Sequence, residues 1–143
     1  MLKARTMIVS TVFAGAAALA LAAPSGAADK TGTEQAAEGA KLYGKYCASC
    51  HGDAGQGGKK APPVVGKDAL PLDPPKGAKV RKTQFHTAQD VAAFVAKNMP
   101  AKKPGSLTVD QYYDILAFDL KANGVDVSGK HIDPTTAAEI KLH

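Results

Sequence analysis

The five residues Cys47-Ala48-Ser49-Cys50-His51 are where the types and spacing in this chain could do chemistry. They spell C-x-x-C-H, the attachment signature of c-type haem. Two thiols three positions apart can each add to one of the two porphyrin vinyl groups, and the histidine that follows is then held beside the iron as a proximal ligand. A thioredoxin-like redox pair, or half of a zinc site, also begins with C-x-x-C. Zinc would want further Cys or paired His, and the sequence holds no cysteine beyond these two. A redox pair would follow a strand in a βαβ pattern, which is missing. Cys47 and Cys50 are therefore read as the covalent anchors of one haem c, with His51 on its iron.

An iron held by one His has a second axial position to fill. Met1 and Met7 lie in an N-terminal stretch read below as a leader, which leaves Met99 as the one methionine of the mature chain. A lone Met is ordinarily core filler. This one is followed by Pro100, in a loop that could be held rigidly over the iron, and a thioether raises the reduction potential of low-spin haem relative to a second His. Met99 is the candidate distal ligand. Its rivals are His86, His131 and His143, of which the last two sit in a polar tail.

Helices must position these groups. One is predicted from Glu34 to about Tyr46, with Thr33 as N-cap and Ala36, Gly39, Ala40, Leu42, Tyr43 and Tyr46 along one side. Gly39 in its middle costs about 1 kcal/mol relative to Ala, so it is either tolerated or kept for a close helix crossing. A second helix is signalled by Thr87 and Asp90, a capping-box pair, and covers about Ala88–Lys97 with Val91, Phe94 and Val95 inward. A third starts at the box Thr108-Val109-Asp110-Gln111 and closes at Asn123-Gly124, with Tyr112, Ile115, Leu116 and Leu120 as its apolar stripe. Asp119 falls inside that stripe, either as an exposed edge, the preferred reading, or as a hydrogen-bonded acid near the haem. Residues 125–143 read as a polar tail with a short helical turn after Pro134.

Between the helices the chain is irregular. Four glycines in Gly52–Gly58 predict a tight loop, and Pro62-Pro63 fixes an extended stretch whose carbonyls stay free. A carbonyl there can accept the second imidazole N–H of His51, which orients the ring and raises its basicity. Residues 67–86, with four Pro and Gly among scattered bases, form a long loop of the kind that lies along a bound group.

The first 28 residues read as a secretory signal: Lys3 and Arg5, an Ala-rich apolar run over 7–23, then small residues with acceptable cleavage after Ala28, the favoured site, or Ala22. The run is poorer in Leu and Ile than a spanning helix, so no membrane span is expected in the mature chain 29–143, whose location would be periplasmic. The mature charge is modest, 16 bases against 13 acids, but residues 59–103 carry ten bases and three acids. For an exported chain that excess suits an acidic protein partner rather than nucleic acid; its bland alternative is a solvated face.

Taken together, Gly39-Ala-Lys-Leu-Tyr43 before Cys47-x-x-Cys50-His51-Gly52, then Pro62-Pro63-Val64-Val65-Gly66, Asn98-Met99-Pro100, Asp114-Ile-Leu-Ala-Phe118 and Lys121-Ala-Asn-Gly124 resemble the small class I cytochromes c. The resemblance covers about residues 35–125 and extends to the single-haem carriers and domains that serve quinoprotein alcohol dehydrogenases. It implies an all-α fold of three main helices and loops wrapped around one covalent haem c. The first helix would cross the last near Gly39, with Tyr43 at the crossing. The Pro62 carbonyl would take the proton of His51, Val64 would pack on the porphyrin, and Met99 would be the distal ligand. Asp119 departs from the family, which has an apolar residue there.

Both axial positions filled by protein would exclude substrate from iron. The expected role is then not enzymatic: a monomeric one-electron carrier between redox proteins, a dehydrogenase as donor and an oxidase or another cytochrome as acceptor. The alternatives are a small haem subunit of a larger dehydrogenase complex and, with an open sixth site, a haem enzyme or gas sensor.

Overall fold

The computed structural model describes residues 29–143; the leader read over 1–28 lies outside them. Three main helices are present, α1 (Gly32–Tyr46), α3 (Ala88–Asn98) and α4 (Val109–Ala122), with two short ones, α2 (Ala48–His51) and α5 (Pro134–Glu139). No strand forms among the described residues, only an isolated bridge between Thr87 and Lys141.

α1 begins earlier than expected. Its N-cap is Thr31, not Thr33: the Thr31 hydroxyl accepts from the Glu34 N–H at 3.4 Å and the Glu34 carboxylate accepts from the Thr31 N–H at 2.8 Å. Glu34 is thus the third helical residue and closes a capping box, rather than the first. The predicted boxes at Thr87/Asp90 and Thr108/Gln111 both form.

α1 lies across α4 at Gly39. A Cβ on that residue would sit 1.8 Å from the backbone oxygen of Asp114, so the two backbones touch where only hydrogen fits. Beside the crossing, the rings of Tyr43 and Phe118 stand 5.0 Å apart and Tyr43 is buried. α3 closes the core from the other side, where Ala88, Val91 and Ala92 join Leu116, Ala117 and Leu120 of α4.

The segment 125–143 is polar in composition, yet it is not a loose tail. Val127, Ile132 and Ala137 are fully buried members of the core. The buried Gln35 amide donates to the Ile132 carbonyl at 2.9 Å and accepts the Ile132 N–H at 2.6 Å, satisfying both backbone groups of that residue. Farther on, the Ile140 carbonyl accepts the first N–H of α3 from Ala88 at 3.0 Å, and the Leu142 N–H reaches the His86 carbonyl at 2.9 Å. Three apolar residues scattered among charged ones have no helical or strand period, which is why the burial is invisible in the pattern.

Residues 67–86 are irregular as expected. A buried arginine organises them: Arg81 donates to the carbonyls of Pro71, Leu72 and Thr83, and its guanidinium lies 3.4 Å from the ring centre of Phe85. Backbone oxygens take up its Nε and Nη2 donors.

Candidate functional site

Cys47 caps α1 at its C-terminus and simultaneously starts α2, so Cys47, Cys50 and His51 lie on one helical turn. The turn is closed by backbone bonds from the Cys50 and His51 N–H groups to the Cys47 carbonyl, at 3.1 and 3.0 Å. Both thiols are unpaired and half-buried. Burial pushes the Cys47 thiol up to about 12, the opposite direction from an activated thiolate. Among the described residues no three His, Cys, Asp or Glu gather to hold a free metal ion.

The His51 ring is fixed from behind. Its Nδ1 lies 2.8 Å from the Pro62 carbonyl oxygen. A carbonyl can only accept, so Nδ1 carries the proton and Nε2 keeps a free lone pair. That donor set fits haem: two thiols on one turn and one imidazole nitrogen left basic by its backbone partner. The loop that supplies Pro62 is itself held, since the Val64 and Val65 N–H groups both donate to the Gly55 carbonyl at 2.8 and 2.9 Å. Gly55 has φ +77°, and a Cβ there would strike Val65 at 2.5 Å; Gly57, also at φ +77°, would place one 2.5 Å from the Pro63 nitrogen, so the glycine loop and the proline loop interlock at both residues. Tyr43 donates from its hydroxyl to the Gly52 carbonyl at 2.9 Å, joining α1 to the end of the motif.

Met99 is the C-cap residue of α3, and its N–H donates to the Val95 carbonyl at 2.8 Å. Its own carbonyl accepts the buried Tyr112 hydroxyl at 2.7 Å. The rival histidines each have another occupation. His86 and His143 are exposed, beside the Gln84 side chain at 3.0 Å and the Leu70 carbonyl at 2.9 Å. His131 holds the Lys30 carbonyl at 2.7 Å.

Asp119 is where the sequence reading misplaced a residue. It is not an exposed edge: it is 6 % exposed, and its Oδ1 is the one buried side-chain polar atom without a partner among the described residues. It lines a small cavity between α3 and α4 with Val91, Val95, Tyr112, Ile115 and Leu116. Desolvation there raises its carboxyl to about 8; burial first, and the neighbouring Asp119 second, also push the Tyr43 hydroxyl and the Cys47 thiol upward. The acid therefore belongs to the wall beside the C-x-x-C-H turn. Its place inside the apolar arc was the available signal. Tyr112 and Asn123, read from the sequence as a stripe residue and a helix end, also bond remote backbone, Tyr112 at Met99 and Asn123 at Val64 and Gly66, contacts that no local pattern marks.

A helical fold with this turn at its centre defines a cytochrome c domain. Residues 34–118 match the family described as cytochrome c oxidase, cbb3-type, subunit III, and the chain belongs to that family. It is 36 % identical over 87 residues to a thiosulfate dehydrogenase of Stutzerimonas stutzeri (strain A1501), a match covering 57 % of this chain and 25 % of that protein. Its fold resembles a chain in the crystal structure of the sulfane dehydrogenase SoxCD from Paracoccus pantotrophus, with a TM-score of 0.55, 28 % identity, and coverage of 75 % of this chain and 52 % of that one. The chain thus spans a quarter of the curated relative and about half of the solved chain. Among the described residues no helix is long and apolar enough to cross a membrane.

Proposed function

We propose that this chain is an exported one-electron carrier that works in the periplasm with a single haem c, bound through Cys47 and Cys50 and ligated by His51 and Met99. The observation that carries the reading is the C-x-x-C-H turn with His51 Nδ1 engaged by the Pro62 carbonyl. Bound haem supplies a reversible one-electron couple, and a protein ligand in each axial position leaves outer-sphere transfer as its chemistry. The protein's own part is positional. α2 presents the thiols, the Pro62 carbonyl orients the imidazole, and the Met99 loop is tied to α4. The test is direct: the mature protein, purified and denatured, should retain one haem mass and a c-type pyridine haemochrome. Haem that passes into acidified organic solvent would overturn covalent attachment.

The second reading is a haem subunit or domain serving a larger dehydrogenase. Two observations favour it, the kinship with a thiosulfate dehydrogenase and with a chain of a sulfane dehydrogenase, and the fraction of each that this chain spans. Those relatives point to an electron donor that oxidises reduced sulfur compounds, in preference to a quinoprotein alcohol dehydrogenase. The oxidised protein mixed with fractionated periplasmic dehydrogenases separates the two, by which fraction reduces it and whether that fraction co-purifies.

The basic stretch 59–103 is the proposed docking rim. Lys59, Lys60, Lys102 and Lys103 are exposed, and the Lys60 ammonium donates to the Ser49 carbonyl at 3.3 Å, which seats it on the haem-attachment turn. Surface charges act mainly on encounter rate and are screened over about 8–10 Å at moderate salt. Reversal of Lys59 and Lys60 to Glu should slow reduction by an acidic partner at low ionic strength and leave the spectrum unchanged. A rate indifferent both to salt and to the reversal would assign these lysines to solubility alone.

A further inference from the structure

His51 ends α2 and Met99 caps α3, yet Met99 itself and the loop that orients His51 are both tied by side chains to one element, α4. In its first turns the buried Tyr112 donates to the Met99 carbonyl at 2.7 Å. At its C-terminus Asn123 donates to the Val64 carbonyl at 2.8 Å and accepts the Gly66 N–H at 3.0 Å, gripping the loop whose Pro62 carbonyl orients His51. The same amide donates to the Asp119 carbonyl at 2.8 Å, so it is itself locked into the last turn of the helix. Eleven residues separate the two clamps, about 16 Å of helix. α4 is in turn pinned to α1 where Gly39 meets the Asp114 backbone.

We propose that Tyr112 and Asn123 are positioning residues, through which α4 sets the two axial bonds separately: Tyr112 holds Met99, and Asn123 holds His51 by way of the Pro62–Gly66 loop. This rests on ligation of the iron by His51 and Met99, as proposed above. Without its hydroxyl, residue 112 leaves the Met99 carbonyl unpartnered, so the loop opens more readily and an external ligand competes better for the iron. Without the Asn123 amide, the proline loop relaxes and the Nδ1–H···O bond to Pro62 lengthens. The imidazole becomes a weaker base, which favours the reduced iron and raises the potential. Loosening Met99 acts in the opposite direction, because thioether ligation is what holds the potential high.

Tyr113 provides the internal control. It is the next residue on α4, also buried, and its hydroxyl donates at 2.7 Å to the Gln89 side chain on α3, away from both ligand loops. A purely structural account makes Tyr112 and Tyr113 equivalent. The experiment uses the haem-loaded ferric protein as wild type, Tyr112→Phe, Tyr113→Phe, Asn123→Ala and Met99→Ala, with imidazole as the added ligand. Imidazole affinity is read from loss of the sulfur-to-iron absorption, and the potential from a redox titration. Tyr112→Phe should bind imidazole about fivefold more tightly, the size of one net hydrogen bond, with a lowered potential, while Tyr113→Phe matches wild type. Asn123→Ala should raise the potential and leave imidazole affinity near wild type. If it does not fold, Asn123→Asp, which keeps the acceptor for Gly66 and loses the donor to Val64, is expected to do the same. The proposal is overturned if Tyr112→Phe binds imidazole like wild type, if Tyr113→Phe binds it as tightly as Tyr112→Phe, or if the Asn123 variant does not raise the potential. Survival of the sulfur-to-iron band in Met99→Ala, by contrast, removes the ligand assignment itself.

Discussion

Replacement of Gly39 by Ala is expected to prevent stable folding, or to lower stability by more than about 3 kcal/mol. The residue sits in mid-helix, where Ala for Gly would ordinarily gain about 1 kcal/mol from propensity. The contact reverses that sign. A Cβ would lie 1.8 Å from the Asp114 carbonyl oxygen, 2.5 Å from its carbon and 3.0 Å from the Ile115 nitrogen. All three are backbone atoms inside a helix, which no rotamer change can move aside. The helices must separate by more than an ångström, and that opens the packing of Tyr43 on Phe118 and the ion pair of Lys30 with the buried Asp114, 3.0 Å apart. Overpacking of a close-packed core by one methylene already costs about 1–3 kcal/mol, and here an entire interface shifts. Gly44 on the same helix has no atom within 4 Å of an added Cβ. Gly44→Ala should therefore be neutral or stabilising. Denaturant unfolding of the two variants decides the point, and similar stabilities for both would show that α1 and α4 are not in contact at Gly39.

That crossing was half-legible in the sequence. A glycine at a helix-interior position raises the question of close approach, but one sequence cannot say what approaches. The capping boxes at Thr87 and Thr108 were fully legible because their signal is local: a hydroxyl, an acceptor three residues on, and an apolar run behind them. The same rule applied with the wrong first residue put the start of α1 at Thr33, since Thr31 and Thr33 are both candidate caps and Glu34 completes a box only with Thr31. The C-x-x-C-H turn was legible from residue type and spacing alone, and the same reasoning supplies Met99 as the proposed distal ligand. What escaped was non-local. Val127 and Ile132 are buried by contacts some hundred positions away along the chain, with Gly32 and Gln35. Tyr112 reads as one more apolar stripe residue until its hydroxyl is seen on a carbonyl thirteen residues upstream.

Asp119 is the clearest such case, and it yields the second large effect. The unfolded chain releases this proton near the ordinary carboxyl value of 3.8, whereas burial holds it in the folded chain up to about 8. Between those values the folded state retains a proton that the unfolded state has lost, so stability must fall as pH rises. The penalty is absent below about pH 4, grows through neutrality and levels off above about pH 8. At about 1.4 kcal/mol for each tenfold difference in proton affinity, the gap between the two states sets a ceiling on the order of 5 kcal/mol. Asp119→Asn removes the titration while keeping nearly the same shape. Its stability advantage over wild type should therefore be smallest near pH 4 and rise steadily to pH 8. Asp119→Leu should show the same slope with a further constant gain, because the wall formed by Val91, Val95, Ile115 and Leu116 is apolar and Oδ1 has no partner to lose. Denaturant unfolding of haem-loaded wild type and both variants across that range measures the difference, in which ligand exchange common to all three cancels. A difference that stays flat with pH would mean that Asp119 keeps an ordinary acidity in the folded protein, satisfied by a contact that the chain alone does not supply.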